Sequence, residues 1–136
     1  MLVIKPIQDK SEQEKLVKAC GGVYAENSFA YSACDCTDDA QTTRFTIGVC
    51  QFAIQNDTGV ISLLRCMDGV EDEEALMIMT RAATGFLSRC GVRYAVIHPD
   101  AADARLCEKL GFYRQEDSSW FLDIYKFYTT PCEDRQ

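Results

Sequence analysis

With 136 residues, 47% of them hydrophobic and 26% charged, the chain is long enough for one buried core and too apolar to be disordered. Its 21 acidic residues outnumber 14 basic ones, giving a formal charge of −7 at pH 7. That balance argues against nucleic acid or an anionic membrane as a partner, because both require a basic face.

No run approaches the ~18 apolar residues of a membrane-spanning helix. The opening "MLVIKPIQDK" also lacks the apolar segment and small-residue cleavage site of a secretory signal. A cytoplasmic setting is therefore expected, in which the eight cysteines (20, 34, 36, 50, 66, 90, 107 and 132) stay reduced. Most of them lie in apolar segments, where a free cysteine behaves as a small buried hydrophobe. The closest pair, Cys34-Asp35-Cys36, and the single histidine give no zinc-site spacing, so no metal is expected.

Leu2 to Ile7 (LVIKPI) predicts a short opening strand. SEQEKLVKAC then predicts a helix, with Ser11 and Glu14 in capping-box spacing, Leu16, Val17 and Cys20 on one face, and Gly21-Gly22 at its end. Between Val23 and Thr43 the pattern is weak: SFAYSACDC reads as a candidate strand and TDDAQTT as a polar turn. RFTIGVCQFAIQ is clearer. Phe45, Ile47 and Val49 fall on one face and Cys50, Phe52 and Ile54 on the other, the mark of a strand covered on both sides. The turn signal QNDTG leads to VISLLRCM, its antiparallel partner in a hairpin.

Glu71-Asp72-Glu73-Glu74 reads as a helix start, since acids favour the positive end of the helix dipole. From Asp72 to Cys90 the residues Ala75, Leu76, Met79, Ala82, Ala83, Phe86, Leu87 and Cys90 recur at helical spacing, and Gly91 closes the helix. VRYAVIHP predicts a strand stopped by Pro99. DAADARLCEKLGF predicts a helix with Asp100 at its N-cap and Gly111 past its end. Two last strands, YRQED and SSWFLDIYKFY, would flank a Ser118-Ser119 turn. The order gives a single domain over 1–136, a mixed α/β (α+β) sheet with helices on its faces.

ADARLCEKLGFYRQED (Ala102 to Asp117), and above all EKLGFY from Glu108 to Tyr113, resembles the helix-to-strand junction of the GNAT N-acetyltransferase superfamily. The flanking order of hairpin, long helix, strand, shorter helix and closing hairpin resembles that family from about Arg44 to Phe127. The resemblance implies acyl transfer from acetyl-CoA to an amine of a small molecule or peptide. The cofactor would lie between two splayed parallel strands, here VISLLRCM and VRYAVIHP. Its pantetheine arm would pair with backbone near Arg65, Cys66 and Met67.

The family's pyrophosphate loop, Arg/Gln-x-x-Gly-x-Gly/Ala, falls here on Glu71, Asp72, Glu73, Glu74, Ala75 and Leu76. The basic or amide opener and both glycines are missing, and unit charges ~5 Å apart repel by roughly 1 kcal/mol even in water. The family's acid tyrosine is replaced by Cys107, and Asp100 stands where the family often has asparagine. His98, at a strand end beside the implied cleft, has the unperturbed pKa range of a general base. Tyr94 and Tyr113 are alternative acids. A second reading is a GNAT-fold binding or interaction module that has lost CoA binding. A third, a thiol-reactive protein, rests on the cysteines. The aromatic run Trp120, Phe121, Tyr125 and Phe127 reads as core or homodimer packing.

Overall fold

The computed structural model describes residues 1–40 and 42–129. Its strands are β1 (Leu2–Pro6), β2 (Phe29–Cys36), β3 (Thr43–Gln55), β4 (Thr58–Cys66), β5 (Tyr94–Ile97), β6 (Tyr113–Arg114) and β7 (Trp120–Asp123). The helices are α1 (Lys10–Ala19), α2 (Glu73–Arg89), α3 (Ala104–Lys109) and α4 (Ile124–Thr129). One mixed sheet runs β1-β2-β3-β4-β5-β7-β6. Its β4–β5 pairing is parallel, from Thr58↔Tyr94 to Ile61↔Ile97.

The segment with the weakest pattern supplies β2, held between β1 and β3. Its buried residues are small (Ala30, Ser32, Ala33, Cys34 and Cys36), so it carries little of the apolar alternation that marks a strand. On β3 a register shift opposite Ala33 and Cys34 leaves Ile47 without a partner in the pairing. Such a bulge turns the chain over. Ile47 therefore packs with Cys50 and Phe52, not on the face of Val49 as the alternation predicts. A second bulge leaves Ser62 unpaired on β4, because Gln51 faces Leu63 while Phe52 faces Ile61. Ile61 and Leu64 then share the α2 face, and Leu63 turns to α1.

Helices cover both faces. Met79, Ala83 and Leu87 of α2 pack on Cys50, Phe52, Ile61 and Leu64. Val17 and Cys20 close the other side over Ala30, Val49 and Leu63. Burying each large side chain contributes about 1.5–3 kcal/mol. Two fully buried amides stand inside the α1 layer. Gln13 Nε2 donates to Ser28 Oγ (2.8 Å) and Gln51 Oε1 (3.1 Å). Gln51 Nε2 donates to Val23 O and Ser62 Oγ, both at 3.0 Å, and Gln51 Oε1 accepts from Ala25 N (3.2 Å). The network pins the loop after α1 against the sheet, and its polar atoms are partnered, as burial requires.

Three helix boundaries differ from expectation. α1 is capped by Asp9, whose Oδ1 accepts from Ser11 N (2.9 Å) and Ser11 Oγ (2.8 Å); Ser11 donates into the cap instead of forming it. α3 begins after Asp103, not Asp100, because Ala101 N donates to His98 O (3.0 Å) and closes a turn first. Gly111, at φ +88°, ends α3 as predicted. The last expected strand stops at Asp123 and becomes α4. Asp123 Oδ1 accepts from Lys126 N (2.9 Å), and Ile124 N donates to Arg93 O (2.7 Å).

Tyr128 of α4 shares a 2.9 Å hydrogen bond with Thr84 of α2. Tyr128→Phe removes that link and should cost about 1 kcal/mol, read as a shift in urea midpoint with unchanged slope. Among the described residues, no helix is long and apolar enough to cross a membrane.

Candidate functional site

The parallel strands stay paired only as far as Ile61 and Ile97. His98 N still donates to Ile61 O (3.1 Å), and then the chains part. Leu64 N, beyond the Ser62 bulge, reaches across to Ala101 O (2.8 Å) in the turn after β5. Arg65 ties the same strand end to both sides: Nη2 donates to Asp100 O (2.6 Å) and Nη1 to Gly21 O (3.4 Å).

Past this point lies a cleft of about 1100 Å³. Its walls are the C-terminal turn of α1 (Lys18 to Gly21), the end of β4 with the loop that follows (Leu64 to Glu71), the first turn of α2, and Asp103 and Leu106. Asp68, Glu71, Asp72, Glu73 and Asp103 face it against Lys18 and Arg65, so the cleft is acidic. Lys18 pairs with Glu14 (3.3 Å) and Glu73 with Lys109 (2.7 Å), exposed ion pairs that add little stability. Asp72 caps α2, its Oδ1 accepting from Ala75 N at 3.0 Å. A backbone donor that a phosphate could use at this helix start is thereby taken by the chain's own carboxylate.

Sulfur lines the floor. Cys20 Sγ lies 3.5 Å from Met67 Sδ on the α1 side, whereas Cys66 also lines the cleft but packs toward α2, its Sγ donating to Asp72 O at 3.8 Å. Burial, and then the neighbouring Cys66, push the Cys20 thiol up to about 11; burial also raises Cys66.

Of the residues expected to hold a cofactor, Arg65, Cys66, Met67, Glu71 and Leu76 line the cleft. Glu74 is exposed and Ala75 buried, and neither is on the wall. The three expected catalytic residues are not brought together there. Cys107 is buried in the core beside Leu106 and Leu110, and desolvation pushes its thiol up to about 11. His98 and Asp100 are exposed on the turn after β5, where Asp100 contributes its carbonyl to Arg65. Tyr113 is 70% exposed on the outermost strand, and Tyr94 packs on Phe121 at 5.5 Å between ring centres. Trp120 is core, as one of the two readings of the aromatic run has it. Lys18, Cys20 and Gly21 were not anticipated. Nothing local in the sequence ties the end of α1 to the end of β4. Among the described residues no three His, Cys, Asp or Glu side chains cluster for a metal ion.

No protein-family model and no curated protein sequence matches the chain. Solved structures do. The chain is similar to a GNAT-family N-acetyltransferase from Escherichia coli in complex with CoA, over 91% of this chain and 81% of that one (TM-score 0.63, 14% identity). It is similar to an IAA acetyltransferase from Bacillus cereus over 85% and 79% (TM-score 0.64, 16% identity). The ribosomal-protein-S18-alanine N-acetyltransferase of Escherichia coli matches over 98% of both chains (TM-score 0.62, 12% identity). At such identities the likeness is one of fold: the chain is a GNAT-fold protein, divergent in sequence from these acetyltransferases.

Proposed function

We propose that the chain is an acyl-CoA-dependent N-acyltransferase, moving an acyl group onto an amine of a small molecule or peptide. The observation that carries this reading is the parting of parallel β4 and β5, with a large cleft opening at the end of β4. A thioester arm could lie there along strand backbone, extending the sheet by main-chain hydrogen bonds. The amine nitrogen would attack the thioester carbonyl, the C–S bond would break, and the amine would give up a proton. His98, exposed on the turn where β4 and β5 part and off the cleft wall itself, is the side chain this reading assigns to take that proton. Cys107, buried in the core and off the cleft wall, does not present its thiol to the leaving thiolate, which in this reading takes its proton from solvent.

A second reading has its own observation. Asp72 occupies the Ala75 N–H, and Glu71 and Glu73 flank it on the cleft wall. These charges oppose a pyrophosphate, and they favour a non-catalytic binding module on the same fold. Calorimetric titration of the reduced protein with acetyl-CoA at low salt separates the two readings. Binding with a Kd of about 10⁻⁴ M supports the enzyme. Thiol release that needs an added primary amine and falls at least about tenfold in His98→Ala would support it further. No heat up to millimolar ligand, with no thiol release, leaves the binding module.

A further inference from the structure

Acyl transfer leaves a second cavity unused. It measures about 280 Å³ and shares no lining residue with the cleft. Its walls are the connection from β1 into α1, the start of β2, Phe52 of β3 and Phe86 of α2. Four rings meet there. Phe29 lies 5.6 Å from Phe52 and 5.0 Å from Phe86 between ring centres, and Tyr31 stacks on Phe52 at 5.9 Å. Phe52 is buried, yet Phe29 stays 42% exposed despite these contacts. A large apolar side chain left open beside a cavity marks a place for an apolar guest. We propose that this cavity binds a small planar aromatic carboxylate, its ring among Phe29, Tyr31 and Phe86 and its charge at Lys10.

Size and shape set the ring. An apolar cavity of about 150 Å³ holds benzene, so one of about 280 Å³ takes one ring, or two fused rings, with a short polar group. Aromatic walls favour a flat guest, because tilted and offset ring pairs add to what burial alone contributes. Charge sets the polar group. Among the described residues that line the cavity, Lys10 is the one charged side chain, in a chain with 21 acidic residues. Its Nζ donates to Ser28 O and to Gln13 Oε1 (3.3 Å), and it pairs with no carboxylate among the described residues. An ammonium has three N–H donors, so one remains for a carboxylate oxygen. Ser28 immediately precedes Phe29, and the same contact therefore ties the cation to the aromatic wall. The acidic lining of the cleft repels such an anion and keeps the two sites distinct. Binding makes and breaks no covalent bond, and the site does not depend on the acyl-transfer reading.

The test is a titration of the protein with 2-naphthoate at low salt, followed by calorimetry and by backbone amide chemical shifts. Saturable binding with a Kd of about 10⁻⁴ M is expected. It should shift Phe29, Ala30 and Tyr31 and leave Arg65 and Met67 in place. Neutral 2-naphthamide should bind about tenfold more weakly, because the hydrogen bond between two charged groups is lost. Lys10→Met keeps the apolar stem and removes the charge, so it should bind both molecules with that weaker affinity. Its unchanged affinity for the amide shows that the aromatic wall is intact. Phe29→Leu, at a half-exposed position, should weaken both ligands by about fivefold or more through loss of the ring. No saturable binding up to about 10 mM, equal affinity of the parent for carboxylate and amide, or shifts centred on Arg65 and Met67 would overturn the site.

Discussion

Gly48→Ala is expected to lower stability by about 3 kcal/mol, the upper range for forcing a methyl into packed structure, and the melting temperature by roughly 10 °C. Gly48 lies opposite Cys66 where β3 and β4 meet the cleft. A Cβ at this position would come 2.6 Å from Arg65 O and 3.0 Å from Cys66 Cα. Both obstacles are backbone, so no rotamer change relieves them, and the two strands must separate. The damage falls on the wall that carries Arg65, Cys66 and Met67, so ligand binding should weaken even where the variant remains folded. Thermal denaturation checks the first effect and titration well below the melting temperature the second. A variant as stable as the parent would mean that β3 and β4 are less tightly apposed than the strand pairing implies.

The double substitution Glu71→Gln, Asp72→Asn is expected to tighten acetyl-CoA binding by roughly thirtyfold at low salt. Each removed charge is worth about 1 kcal/mol against a nearby pyrophosphate, and two make about 2 kcal/mol. Asparagine is as good an N-cap as aspartate, so the bond to Ala75 N survives and α2 should not fray. The gain should shrink as salt is added, since exposed charges are screened. Glu74→Gln is the control, because Glu74 is exposed and off the cleft wall, and it should change affinity little. Equal affinity in the parent and the double variant would show that these carboxylates do not meet the cofactor.

Much of the sheet and α2 could be read from periodicity. Met79, Ala83 and Leu87 recur at helical spacing because one face of α2 is buried, and the β3–β4 hairpin shows apolar residues on both faces because α1 and α2 cover it. The misread features are those where local pattern has two solutions. Asp100 and Asp103 both offer a cap, and only the backbone turn from His98 to Ala101 decides between them. The residues from Ile124 to Tyr128 suit a strand by composition, yet contacts to Arg93 and Thr84 make them helical. A bulge has no signature in alternation, so Ile47 was placed on the wrong face. The cleft was half legible. EKLGFY located its family of folds and the end of β4, but the α1 wall meets that strand across 44 positions, from Gly21 to Arg65. Cys107 illustrates the limit of motif transfer: its place in the chain matches an acid's position, while its side chain faces the core.

Gln13, Ser28, Gln51 and Ser62 fasten α1 and its following loop to the sheet, and none of the four touches the cleft. Foldability and ligand chemistry are thus assigned to different positions in the chain. Substitutions at exposed Asp68 and Glu71 can accumulate without loosening the scaffold beneath them, whereas Asp72, as the cap of α2, and Val70, packed on the core, are held in place. An architecture partitioned in this way lets the charge carried on the cleft rim change while α1 and the sheet stay fastened.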